Sequence, residues 1–499
     1  MSKLYVFGIG GTGSRVIKSL TMLLAAGVEC GVDTIVPIII DRDESNRDFT
    51  RTKLLIEDYV AVNKIAETKG KNKFFKTKIE LLNNELTLRL KDNTQKFDEF
   101  IGKNSMSKEN HALVEMLFSE DTLKMDMSAG FQGNPNIGSV VLNQFDESEI
   151  FKSFASDFQE DDKIFIISSI FGGTGASGFP LLRKVLATIN QKDSQGVVLP
   201  KWGLVNKAPI GAISVLPYFQ VKHSADESLV DSDTFTDKAK AALSYYKQED
   251  KKIDTLYYIA DKRASTYEHN KGGDAQRNNA HFVELAAALS ILNFVNPKYA
   301  PINLHRDSEG KIESTTYKEF GVVTDTSVID FSTLDDSIKK LLVNPMSRFM
   351  LFCKYMGYYN VNEHVENNSE IYECSKVADN PFDKERKFQP YAYKNFDKYF
   401  RGNSVIKRVE SVQSQFCIWL YEMEKQNRQF SPFNLKTKDP FDFVKNVNIK
   451  TETGRFKNWV KMDNELNRFV SQIDLVLEPE RRFLELFYLA TESLLNFKN

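Results

Sequence analysis

The sequence predicts an α/β fold: a parallel sheet with helices on both faces, followed by a mainly helical C-terminal region. Three observations predict it. Short, wholly apolar runs alternate with stretches of helical periodicity through residues 1–296, the pattern of strands buried on both faces. Two of those runs pass straight into glycine loops, Gly8-Ile9-Gly10-Gly11-Thr12-Gly13-Ser14 and Phe171-Gly172-Gly173-Thr174-Gly175-Ala176-Ser177-Gly178. After Phe294 the apolar runs thin out and aromatic-rich helical patterns take over.

Leu4–Phe7 reads as the first strand, and Arg15–Ala26 as a helix with apolar residues at Val16, Ile17, Leu20, Leu23 and Leu24. Ile35–Ile40 is a second strand ending at Asp41 and Asp43. Residues from about 45 to 125 form a charged, mostly helical insertion, with helices predicted at Ile79–Leu90 and Asn110–Phe118. Ser148–Phe158 is a helix, Lys163–Ser168 a strand, and Pro180–Ile189 a helix with Pro180 in its first turn. Ile210–Leu216 and Leu256–Ala260 are strands separated by a helix at Phe235–Gln248. Ala280–Phe294 is a long buried helix. Beyond it, Ile302–Val323 reads as a hairpin turned at Ser308-Glu309-Gly310-Lys311, and Asn362–Asn395 as polar loop. Leu334–Tyr358, Val405–Asn427, Phe456–Ile473 and Glu478–Leu495 read as helices. The division is therefore 1–296, the sheet-bearing unit, and 297–499, mixed to mainly helical.

Composition narrows the function. Lys+Arg 66 against Asp+Glu 68 gives no general pull toward nucleic acid. The cysteines Cys30, Cys353, Cys374 and Cys417 form no CxxC pair, and the six histidines lack metal-ligand spacing. The longest apolar run near the N-terminus, Met22–Val28, is far short of the ~20 residues a membrane span needs. A cytoplasmic protein without a leader is expected.

The glycine loops carry the chemistry. A bare backbone brings several N–H groups close to an anion, and the helix behind it adds its positive end. In the second loop Thr174 and Ser177 add hydroxyls. A third glycine-rich segment, Met127–Gly138, lies between the two in sequence. The first loop is not a Walker A loop, since Arg15 follows Ser14 and no Lys precedes it. Asp41 and Asp43 suit ribose contact, magnesium held through water, or simple helix capping.

Ile164–Pro180 resembles the tubulin signature, a buried strand followed by a GGTGSG-type loop. Met127–Gly138 resembles the glycine-rich Asn-Pro loop of FtsZ, with Phe131 and Gln132 as extra residues. Gly8–Ser14 is similar to the first nucleotide loop of the same superfamily, Ile38–Asp43 to its strand ending in Asn-Thr-Asp, and Tyr258–Arg263 to its Pro-Asn-Asp-Arg segment. Gly272–Ala288 looks like the start of the central helix in divergent bacterial tubulin-like proteins. The resemblance implies a tubulin/FtsZ-like, Rossmann-type sheet binding GTP or GDP with Mg²⁺. It implies that Gly10, Gly11, Thr12 and Gly13 hold the α and β phosphates. Ala129, Gly130 and Asn134 would lie near the γ-phosphate, with Gly172, Gly173, Thr174 and Gly175 clamping the β and γ phosphates. Asp43, beside Asp41, would stand near the magnesium. Asp261 would read guanine, and Asn278 or Asn279 would reach the base from the central helix.

The family also carries an acidic residue just after the central helix, which activates water in a neighbouring subunit's site. Here Asn296–Tyr299 has no carboxylate, and Val328–Phe331, with Asp330, lies more than 30 residues later than the family places that segment. Slow or partner-dependent GTP hydrolysis is therefore expected, with Asp330 the candidate catalytic acid and a surface helix-flanking acid its plainer reading. Head-to-tail self-association and a protein partner on the C-terminal helices are the expected contacts. Two other readings stand beside this one. A ubiquitin-activating-type adenylating enzyme shares the first loop and the Asp41-Arg42-Asp43-Glu44-Ser45-Asn46 segment, but does not account for the second loop. A non-catalytic scaffold would hold nucleotide as a structural ligand.

Overall fold

The structure, a computed structural model, describes residues 2–66, 71–90, 94–128, 130–131, 133–188, 201–221, 235–249, 253–262, 265–267, 277–296, 304–308, 312–319, 326–360, 403–434, 443–446, 459–470, 472–473 and 478–495. Ala129, Gln132, the 297–299 segment and the 362–395 loop lie outside the described residues.

Among the described residues, seven strands form one parallel sheet. They are β1 (Lys3–Ile9), β2 (Thr34–Ile40), β3 (Lys78–Ile79), β4 (Lys163–Ser169), β5 (Ile210–Val215), β7 (Thr255–Ile259) and β9 (Thr316–Glu319), in the order β3-β2-β1-β4-β5-β7-β9. Leu4 pairs with Ile35 on one side and Lys163 on the other. Phe219–Val221 (β6) and Ser265–Tyr267 (β8) make a small parallel pair, and Val328–Ile329 (β10) and Gln429–Phe430 (β11) another.

The sheet divides the core. Leu4, Val6, Phe165 and Ile213 point to one apolar cluster, while Tyr5, Phe7, Ile9, Ile166 and Ala212 point to the other. On the first face lie α1 (Gly10–Ala25), α2 (Arg47–Ala66) and α11 (Phe282–Val295). On the second lie α6 (Pro135–Val141), α7 (Glu149–Asp157), α8 (Gly173–Thr188) and α10 (Phe235–Glu249). Short helices α3 (Phe97–Phe100), α4 (Lys108–Leu117), α5 (Glu120–Leu123) and α9 (Trp202–Val205) fill the connections. The C-terminal helices α12 (Asp336–Asn360), α13 (Ser404–Glu424), α14 (Trp459–Val470) and α15 (Pro479–Leu494) continue the first-face core. This second covering explains why α1 is buried nearly all round, and why α11 is apolar on every side, with Glu284, Ser290 and Asn293 its polar residues.

Three local expectations change. The helix expected at Ile79–Leu90 is instead edge strand β3, a 3₁₀ turn at Leu82–Asn84 and a bridge from Thr87 to Ile39. Asn83 and Asn84, both at positive φ, break the periodicity. The second-loop helix begins at Gly173, so Pro180 is interior. The bond that proline cannot give to Ala176 O is supplied by Tyr246 O–H at 3.0 Å. The expected hairpin reduces to an antiparallel bridge, Arg306 to Ile312, and β9 then joins the parallel sheet beside β7.

Candidate functional site

Strand order sets the place of the site. β1 runs out to α1 and β2 on one side, and the chain crosses to β4 on the other side of β1. In open parallel sheets a ligand crevice forms at such a switch point, beyond the carboxyl ends of the strands. The two glycine loops follow β1 and β4, the two strands that flank this crevice.

The loops touch. A side chain at Gly10, which has φ +70°, would come within 3.4 Å of Thr174 Cβ and 3.6 Å of Gly175 N. A side chain at Gly173 would meet Gly133 N and Asn134 N at 3.1 Å. All three glycine segments therefore meet at one end of the sheet. Asn134 caps α6 through the N–H groups of Asn136 and Ile137, and Gly130 beside it has φ +82°. Gly172 lies against Ser169 Oγ, and Gly175 is pressed onto the Ser169 backbone.

The helix ends suit an anion. The first turn of α1 has no acidic residue and no side-chain cap. The first turn of α8 has no acidic residue either. By contrast, α4, α5 and α7 are each capped at the N-terminus by a serine, Ser107, Ser119 and Ser148. The first N–H groups of a helix that lacks a side-chain cap are those a phosphate can satisfy. Beyond β2, Asp43 is buried and accepts the Ser45 hydroxyl at 2.7 Å. Asp41 accepts from Asp43 N at 3.3 Å. Burial pushes the Asp41 carboxyl up to about 7, with the Asp43 charge adding to the shift. Asp41 lines a solvent-open pocket with Arg42, Glu44 and Arg89. Asp41 and Asp43, with Glu44 beside them, present carboxylate oxygens of the kind that hold a magnesium largely through water.

The sequence reading missed a buried ionic network directly beneath the first loop. Arg15 donates to Glu284 at 2.5 Å, Asp48 at 2.9 Å, Tyr218 O–H at 3.0 Å and Thr12 Oγ1 at 3.3 Å. Burial opposes its charge, but Tyr218, Glu284 and Asp48 outweigh that and raise its pKa. Asp48 also accepts from Asn278 N. Glu422 on α13 accepts from Arg51 at 2.6 Å, Ala280 N at 3.0 Å and Arg277 at 3.2 Å. Burial lowers the Lys18 ammonium, enclosed among these groups, to about 8. The signal in sequence was a set of charges on otherwise core-facing helices, but their partners lie up to hundreds of residues away.

The remaining predicted residues have the following partners. Asp261, at the end of β7, is ion-paired with Arg428 at 2.7 Å. Asn279 is exposed, and its carbonyl accepts from Tyr267 O–H. His281 is a satisfied core residue, its Nδ1 accepting from Val283 N at the start of α11. Asp330 caps the turn Phe331–Thr333 and accepts from Asn446 at 2.6 Å. Burial opposes ionisation there, but hydrogen bonds from Ser332 and Asn446 outweigh it and hold the carboxyl below its usual range.

Among the described residues no helix is long and apolar enough to cross a membrane. No family model and no curated protein sequence matches the chain. Among solved structures it is similar to CetZ2 from Haloferax volcanii, a GTPγS-bound protofilament, at 13% identity and TM-score 0.29 over 61% of this chain and 60% of that one. It is similar to CetZ1 from Haloferax volcanii, a GDP-bound monomer, at 14% identity and TM-score 0.26 over 74% and 76%. An FtsZ variant from M. jannaschii matches at 18% identity and TM-score 0.25 over 52% of this chain and 47% of that one. The chain thus spans less than two thirds of the CetZ2 and FtsZ chains.

Proposed function

We propose that the chain is a guanine-nucleotide-binding protein of the tubulin/FtsZ type, with a slow or partner-dependent GTPase activity. The single observation that carries this reading is the meeting of two glycine loops at the sheet's switch point, one after β1 and one after β4. Gly10, Gly11, Thr12 and Gly13 would hold the inner phosphates through backbone N–H groups. Gly172, Gly173, Thr174 and Gly175, with Gly130, Asn134 and the undescribed Ala129, would take the outer ones. Arg15 is already committed to Asp48 and Glu284. The positive potential at the phosphates would therefore come from the ends of α1 and α8 rather than from this guanidinium.

Asp43 and Asp41 would position magnesium, which when bound neutralises charge on the outer phosphates. Asp261, Asn278 and Asn279 would lie toward the base. A nucleotide-binding unit of 1–296, self-association head to tail, a partner on the C-terminal helices and a cytoplasmic location belong to the same proposal. Asp330 is the proposed acid for a neighbouring subunit. Its commitment to Ser332 and Asn446 supports slow turnover by the isolated chain.

Titration with fluorescent GTP and ATP analogues tests the reading. Preference for GTP supports it. Equal or tighter ATP binding would instead favour the adenylating-enzyme reading, which the Asp41–Asn46 segment also suits.

A further inference from the structure

Asp261 holds a carboxylate in an unfinished environment. Its side chain is 5% exposed. Oδ1 accepts from Arg428 Nε and from Lys262 N, both at 2.7 Å. Oδ2 is buried and has no hydrogen-bond partner among the described residues. His281 Nε2 stands 3.9 Å from it, too far for a hydrogen bond. Burial pushes the His281 imidazole down to about 4 against the pull of Asp261. Its Nδ1 accepts from Val283 N, so its single proton sits on Nε2. A buried acceptor left without a donor is costly and calls for an explanation.

Arg428 comes from the C-terminal region, one residue before β11. Its Nη1 is anchored on Thr326 O at 3.1 Å. It is the more exposed member of the pair, at 19%. The N1–H and N2–H₂ edge of guanine is itself a guanidine unit, two parallel donors on one carbon. A carboxylate that binds Arg428 is therefore chemically matched to guanine as well. Adenine places an acceptor at N1 and offers no such paired edge.

We propose that Arg428 is an internal mimic of guanine: it covers Asp261, and guanine nucleotide engages that carboxylate only by displacing the guanidinium. This rests on the nucleotide-binding reading above. It makes the C-terminal region a competitor for the base and Arg428 a determinant of both affinity and specificity. The second donor of guanine would satisfy Oδ2, which Arg428 leaves bare.

The test is a binding titration of ribose-labelled GTP and ATP analogues on the full chain. It compares wild type, Arg428→Ala, Asp261→Asn and the double variant. Arg428→Ala is expected to tighten GTP binding about tenfold, as expected for releasing one charge-assisted contact, and to leave ATP binding within about twofold. The double variant should bind GTP no more tightly than Asp261→Asn. GTP should also raise the melting temperature of Arg428→Ala more than that of wild type, because the base then pairs an otherwise bare buried carboxylate. If Arg428→Ala does not fold, Arg428→Lys replaces it, with a smaller tightening expected because an ammonium lacks the planar fork. Wild type binding GTP while the Arg428 variants bind it equally or less well would overturn the cover and leave the nucleotide reading standing. Equal tightening of GTP and ATP, or tightening that survives Asp261→Asn, would overturn it too. Absence of guanine-nucleotide binding in every form would remove both readings.

Discussion

Replacing Arg15 with methionine asks whether the buried network ties the first glycine loop to the body of the protein. Methionine keeps an extended side chain and removes the charge. The variant leaves Asp48 and Glu284, each 2% exposed, without their common cation. Removing one partner from a buried ion pair costs about 3–5 kcal/mol. For a cooperative unit of roughly 300 residues, at an unfolding entropy of about 2.1 cal/mol/K per residue, that is about 5–8 °C of melting temperature. pH supplies the control. Asp48 already has a raised pKa, because burial outweighs the pull of Arg15. Its contribution to stability is therefore greatest below the unfolded value and is lost as pH rises through the folded one. Without Arg15 that folded pKa climbs further. The gap between wild type and variant should be wide at mildly alkaline pH and narrow in mild acid. Thermal melting followed by circular dichroism across that range reads it. A loss below about 1 kcal/mol, or one independent of pH, would refute the reasoning.

The glycines separate packing from binding. Gly11→Ala should fold, since the added Cβ meets nothing nearer than Arg15 Nη1 at 3.4 Å, but should weaken fluorescent-GTP binding at least about tenfold by obstructing the phosphate approach. Gly175→Ala should instead lower the melting temperature, since its Cβ would lie 2.5 Å from Ser169 O. Asp41→Asn should melt higher than wild type above the folded pKa of about 7. That gain should vanish below the ordinary carboxylate range, because a raised acid pKa favours the folded state only while protonated. Asp330→Ala should lose about 1 kcal/mol of stability with its turn cap, an effect that fades as pH falls through the depressed carboxyl pKa. Phosphate release measured over a range of protein concentrations should be slow with or without Asp330. Fast, concentration-dependent release would point to a different catalytic residue.

The sheet was legible because its strands are buried on both faces. Leu4–Phe7, Ile35–Ile40 and Lys163–Ser168 could hardly be read otherwise, and their glycine exits marked the switch point. Edge strand β3 was not legible, since two residues in a charged stretch carry no periodicity. The start of α8 was hidden because Pro180 suggests a first turn, whereas Tyr246 supplies the missing donor from 70 residues away. The Arg15 network and the Arg428–Asp261 pair were invisible for a related reason. A buried charge shows itself in sequence only as an oddity on an apolar face, and the partner that makes it tolerable is set by tertiary packing. The pairing of α1 with α13, seen in Trp419 Nε1 donating to Ser19 Oγ across 400 residues, is of the same kind.

The most direct measurement is the identity of the nucleotide that purified protein retains. Protein prepared in magnesium buffer is denatured, and the released nucleotide is separated by chromatography against GTP, GDP, ATP, ADP and AMP standards. GDP or GTP at close to one per chain is the predicted result. Adenine nucleotide at that stoichiometry, or a protein that neither retains nor rebinds guanine nucleotide, would contradict the account.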